Sequence, residues 1–120
     1  MRKKNFKGRC TKRQMSKCTE VCRTYDPIQF AYADLLENDD CVMEYRCNVP
    51  LDGLEIGEYT SDFVCTKTNG EVFVRECVYR KQISKPLTVK LLDSSQRYWQ
   101  DRGISDWGLV IDAMQNYQKR

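Results

Sequence analysis

Between residues 26 and 40 the apolar positions recur at helical spacing. Ile28, Tyr32, Leu35 and Leu36 fall on one face, Asp26 is placed to cap the N-terminus, and Pro27 takes the first helical position. Asn38-Asp39-Asp40 ends the pattern. Residues 41–50 switch to period two. Met43, Tyr45, Cys47 and Val49 alternate with Glu44 and Arg46, which predicts a strand with one buried face, closed by Pro50. Residues 59–66 and 71–79 read as two further strands, and Asn69-Gly70 between them predicts a tight hairpin. A second helix follows, with Ser84 as its expected cap, Pro86 in its first turn and Gly103 as a left-handed terminator. Its apolar side is Leu87, Leu91, Leu92, Ser95, Tyr98 and Trp99, so both aromatic rings read as core rather than as a stacking platform for bases.

The short run Trp107-Gly108-Leu109-Val110-Ile111 predicts a buried strand, and a crossover through the helix places it parallel to the second hairpin strand. The order is thus helix, three strands, helix, strand. That predicts an α/β fold with a mixed sheet of about four strands flanked by helices. Upstream of residue 26, Met15, Cys18 and Cys22 form only a weak stripe, and the polar tail from Met114 to Arg120 carries no clear pattern.

A length of 120 residues fits one domain with one core. No apolar run approaches the roughly 20 residues that span a bilayer, and the charged start, Met1 to Arg9, is followed by no apolar stretch. A cytoplasmic location is therefore expected. The seven cysteines (Cys10, Cys18, Cys22, Cys41, Cys47, Cys65 and Cys77) are odd in number, and several lie within strand patterns. They read as free thiols serving as small hydrophobes. Zinc is the competing idea, but the chain has no histidine and no Cys-x-x-Cys, and Cys18-x-x-x-Cys22 is its closest pairing.

Charge is unevenly distributed. Residues 1–17 hold eight basic residues (Arg2, Lys3, Lys4, Lys7, Arg9, Lys12, Arg13 and Lys17) and no acidic one, which leaves residues 18–120 at −5 within a total of +3. The expected organisation is a basic flexible arm over 1–17 and a single domain over 18–120. Such an arm either neutralises nucleic-acid phosphates or merely solubilises the chain.

Two acids sit where acids are costly, inside the hairpin strands: Asp62 beside Phe63-Val64, and Glu76 within Val72 to Val78. Period two puts Val72, Val74, Glu76, Val78 and Arg80 on one face. A two-residue turn sets Asp62 opposite Cys77, so meeting Glu76 requires a bulge or another turn length. Converging carboxylates suit Mg2+ or Mn2+, whose bound water attacks phosphodiesters. The alternative for Glu76 is an ion pair with Arg75 or Arg80.

Tyr59-Thr60-Ser61-Asp62-Phe63, a turn, and then Val72-Phe73-Val74-Arg75-Glu76-Cys77-Val78 resemble the core of the restriction-endonuclease-like superfamily. More narrowly, the chain resembles the N-terminal nuclease domain of the TnsA family, the endonuclease subunits of heteromeric transposases. Leu35-Leu36-Glu37, Asp39-Asp40-Cys41-Val42, Tyr98-Trp99, Arg102-Gly103 and the strand ending at Asp112 lie in that family's order, over roughly residues 26–112. The resemblance implies a metal-dependent DNA nuclease with Asp62 and Glu76 as metal ligands. It also implies a glutamate on the first helix, where this chain has Gln29, and a lysine two residues after the strand acid, where it has Val78. Arg80 lies further along and would serve only as an electrostatic clamp, while Lys81 or Lys67 would reach the site only if the strand ends bend. The expected function is a TnsA-like fold that binds DNA or a nucleoprotein complex of a mobile element, with little or no cleavage. The alternatives are an active magnesium-dependent endonuclease working in transposition through Asp62 and Glu76, and an inhibitor, carried by a mobile element, that binds another nucleic-acid enzyme.

Overall fold

The computed structural model describes residues 10–55 and 57–112. Along the chain these form β1 (Thr11–Arg13), β2 (Cys22–Thr24), α1 (Pro27–Glu37), β3 (Val42–Pro50), β4 (Thr60–Lys67) and β5 (Val72–Val78). A 3₁₀ turn (Arg80–Gln82), α2 (Pro86–Asp101) and β6 (Trp107–Ile111) complete the order. The main sheet runs β3-β4-β5-β6, antiparallel except for the last pair, which is parallel. α2 connects those two parallel strands. The protein is an α/β fold with a mixed sheet flanked by helices.

Alternation along the central strands gives each helix its own core. Phe63 and Cys65 of β4 join Tyr45, Cys77 and the α1 residues Ile28, Ala33 and Leu36. Val64 and Val74 instead join Leu51, Tyr59 and Trp99 of α2. Successive strand residues point to opposite faces, so the two helices cover opposite sides of the sheet.

The first helix begins as expected. Asp26 stays extended and its Oδ1 accepts the Gln29 N–H at 2.8 Å, while Pro27 fills the first helical position. Its buried stripe passes through Ile28, Gln29, Ala33 and Leu36. Leu35, expected on that stripe, is 64% exposed, because it lies roughly 100° around the helix from Leu36. In the second helix the cap is Lys85, without a side-chain hydrogen bond, and not Ser84. Pro86 disfavours helical geometry in the residue before it, so the boundary falls one residue later. The C-terminus closes as expected: Gly103 has φ 84°, its N–H reaches the Gln100 carbonyl at 3.0 Å, and the Ile104 N–H reaches that of Trp99 at 2.9 Å.

In β3 the register shifts between Val42 and Glu44, so Val42 turns inward and Met43, expected in the core, is half exposed. The β4–β5 hairpin has a three-residue loop, residues 68–70. Lys67 N donates to the Glu71 carbonyl at 2.8 Å, and Gly70 adopts φ 92°. The longer loop sets Phe63 against Arg75 and so brings Asp62 level with Glu76.

The stretch expected as a flexible arm is folded from Thr11 onward, because β1 pairs antiparallel with β2 as a separate small sheet. Arg13 pairs with Asp34 at 2.8 Å and lies 3.7 Å over the Phe30 ring, while Lys17 Nζ donates to the Asp39 carbonyl. The segment after β1 runs beside β3, with Tyr45 N donating to the Lys17 carbonyl at 2.9 Å and Thr19 N to that of Tyr45 at 3.2 Å. Glu37 ties the same segment to α1 by accepting from the Ser16 hydroxyl and from the Ser16 and Lys17 N–H groups. Arg2, Lys3, Lys4, Lys7 and Arg9 lie outside the described residues, as does the tail from 113 to 120. Among the described residues, no helix is long and apolar enough to cross a membrane.

Replacing the true cap and the expected one should give opposite results. Asp26→Ala is expected to lower unfolding free energy by about 1 kcal/mol in urea titration. Ser84→Ala, at an exposed position before the helix, should stay within about 0.5 kcal/mol of the parent.

Candidate functional site

The site lies where period-two alternation fails. Phe63 packs beneath α1, yet Ser61, two residues earlier, bonds to groups of α2 on the other face. The partner strand breaks at the same rung: Cys47 packs with the first core and Val49 with the second. Between them Asn48 adopts φ 55°, the one positive φ outside glycine among the described residues. Its side chain holds the kink, with Nδ2 donating to the Arg23 carbonyl at 2.9 Å.

At this rung the carboxyl groups of Asp62 and Glu76 engage strand N–H groups directly. Asp62 N donates to Glu76 Oε1 at 2.9 Å, and Cys77 N donates to Asp62 Oδ2 at 2.6 Å. The other two oxygens turn to different helices. Asp62 Oδ1 accepts Gln29 Nε2 of α1 at 2.6 Å. Glu76 Oε2 accepts the hydroxyls of Ser61 and of Ser95 on α2, each at 2.6 Å. Two indoles complete the α2 side: Trp99 Nε1 donates to Ser61 Oγ at 2.9 Å, and Trp107 Nε1 to Ser95 Oγ at 3.0 Å. Asp62 and Glu76 are 1% and 0% exposed, so these bonds replace the water that both have lost. Burial, and then the nearby charges of Glu76 and Asp62, hold the Tyr59 phenol well above its usual value.

Gln29 is fixed at every polar atom. Its N–H caps onto Asp26, its Oε1 accepts the Tyr25 N–H at 2.7 Å, and its Nε2 also donates to Asn48 Oδ1 at 3.2 Å. Placement at the third helical position, 3% exposed, aims the amide into the sheet.

The structure therefore brings Asp62, Glu76 and Gln29 together and separates Arg80 from them. β5 ends at Val78, and Arg80 opens the 3₁₀ turn, exposed, with its N–H on Asp112 Oδ1 at 2.6 Å. The expected shared face thus stops at Val78, the last paired residue of β5, because Tyr79, though still extended, leads straight into the 3₁₀ turn at Arg80. Val78 is buried where the resemblance implies a lysine. Lys67 sits at the hairpin end of β4 near Glu71 and Asp106, and Lys81 is exposed in the 3₁₀ turn. Arg75, an alternative partner for Glu76, pairs with Asp106 at 2.9 Å and lies over Phe73.

A hard divalent ion fits this arrangement poorly. Each of the four carboxylate oxygens accepts at least one hydrogen bond from the protein, and the groups are drawn toward opposite faces. Gln29 directs an N–H, not an oxygen lone pair, at Asp62 Oδ1. A Mg2+ ligand set needs converging oxygens with room for water. The geometry is that of a closed polar network.

Ser61, Ser95, Asn48 and the two indoles escaped the sequence reading. The available signal was Ser95, a polar residue in an otherwise apolar helical stripe. No protein-family model matches this chain, and no curated protein matches it.

Ser95→Ala removes one donor to Glu76 and the hydroxyl that accepts the Trp107 indole N–H. It should destabilise the protein by about 1–3 kcal/mol in chemical denaturation followed by far-ultraviolet circular dichroism. A cost below about 0.5 kcal/mol would show that the network does not support the fold.

Proposed function

We propose that this chain is a nucleic-acid-binding protein of restriction-endonuclease-like architecture in which the hydrolytic centre has become a structural hydrogen-bond network. In this reading it acts in the cytoplasm on DNA, or on a nucleoprotein complex of a mobile element, and does not cut efficiently. The observation that carries it is the 2.6 Å hydrogen bond from Gln29 Nε2 to Asp62 Oδ1. An amide donor occupies the lone pair that a cation would need, and a carboxylate–amide bond this short, buried on both sides, is expensive to break.

The second support is Val78. A lysine at that position would stabilise charge building on a phosphate, and losing one such donor costs on the order of 10²–10³ in rate. Valine offers neither charge nor hydrogen bond. Affinity for nucleic acid rests on charge: eight basic residues in the first seventeen, beside a body at −5. Arg13 and Lys17 are engaged within the fold. Binding of phosphates is therefore assigned to Arg2, Lys3, Lys4, Lys7, Arg9 and the exposed Lys12.

The test is duplex binding by the full chain over a range of salt, together with incubation of supercoiled DNA with Mg2+ or Mn2+. Binding should weaken with salt. Replacing Arg2, Lys3, Lys4, Lys7 and Arg9 with glutamine should flatten the log–log slope by about 0.9 for each phosphate that is no longer neutralised. No nicked product should accumulate with either metal. A salt-insensitive affinity, or none, would refute DNA binding; metal-dependent nicking lost in Asp62→Ala would restore the active-nuclease reading.

A further inference from the structure

Two cysteines four residues apart, Cys18 and Cys22, meet a third from far along the chain, Cys47, at the junction of the two sheets. Cys22 opens β2, Cys47 lies in β3, and Cys18 forms an isolated bridge with Tyr45 of β3. The Sγ atoms of Cys22 and Cys47 are 3.6 Å apart, those of Cys18 and Cys47 are 3.9 Å apart, and all three lie within 4.8 Å of one another. Among the described residues this is the one group of three or more cysteine or acidic side chains close enough to share an ion.

We propose that Cys18, Cys22 and Cys47 form a three-thiolate site for a thiophilic divalent cation of the zinc type, with the fourth position open to water or an external ligand. The spacing matches the chemistry. With Zn–S bonds of about 2.3 Å, neighbouring sulfurs of a tetrahedron are about 3.8 Å apart. Two of the three separations already lie near that value, and the third needs only a small closing movement.

The surroundings also suit the ion. Cys22 is buried, whereas Cys18 and Cys47 are half-buried, so the site has both a dry side and a way in. Binding exchanges three S–H protons, released to solvent, for three metal–sulfur bonds, so affinity rises with pH. The ion would fasten the β1–β2 sheet and the segment through Cys18 to the edge of the main sheet. That role is independent of whether the chain binds DNA.

The experiment uses the full chain, fully reduced by a phosphine under argon. Titration with Co2+ should give a thiolate-to-cobalt charge-transfer band and the visible bands of four-coordinate cobalt. These should saturate at one equivalent and be bleached by Zn2+. Cys18→Ser and Cys47→Ser should abolish them, while Cys41→Ser, at an exposed position outside the cluster, should leave them intact. A second readout needs no variant: Zn2+ should protect Cys18 and Cys47 from alkylation, mapped by mass spectrometry, and leave Cys41 reactive. Absent or non-saturating bands, bands that survive in Cys18→Ser, or equal alkylation with and without zinc would each overturn the proposal. So would a reduced chain that binds no cobalt yet forms a Cys22–Cys47 disulfide on mild oxidation, which would make the cluster a redox pair.

Discussion

The arrangement depends on two buried acids standing in for backbone partners where β4 and β5 part. A carboxylate in an apolar interior is tolerated only when its oxygens find donors, and an unpaired one costs several kcal/mol. Asp62 and Glu76 meet that demand with each other's strands, taking the Cys77 and Asp62 N–H groups respectively. Every neighbour is then constrained. The first turn of α1 must place Gln29 over Asp62, α2 must offer Ser95 to Glu76, and Asn48 must turn left-handed so that β3 follows the same kink. Such a network is satisfied as a whole or becomes a liability, which makes it a device for specifying one packing of helices on sheet.

That constraint bears on chemistry. A hydrolytic centre needs groups left underused by the fold, so that substrate, ion and water complete them. Here the completion is internal, and the donors come from residues that also hold the helices in place. Gln29 is decisive here, because its amide donates to Asp62 where a carboxylate at the same position would repel it. The same economy applies to the basic residues nearest the body: Arg13 stacks on Phe30 and pairs with Asp34, spending its charge on packing.

Much of the architecture was legible in the residues. Asp26-Pro27, Gly103, Asn69-Gly70 and the period-two runs each act locally, so their elements appear as expected. The misses share a different cause. Met43 and Leu35 were misplaced because a one-residue register shift, or one step around a helix, reverses exposure without altering composition. Ser84 lost the cap because Pro86 acts on its immediate neighbour. β1 and β2, at three residues each, are too short to carry a period. For the site, the meeting of Asp62 and Glu76 was foreseeable only up to the length of the turn, which proved to be three residues. The contributions of Ser61, Ser95 and the indoles, and the convergence of Cys47 on Cys18 and Cys22, are tertiary and leave no spacing to read.

The chain's two tryptophans are also the two indoles anchored on Ser61 and Ser95, one bond removed from Glu76. Their emission therefore has no contribution from distant parts of the molecule. Any disturbance at the acidic pair, whether a proton, an ion or a shifted strand, passes through a hydroxyl to a fluorophore, so the protein carries a built-in optical gauge of its own centre.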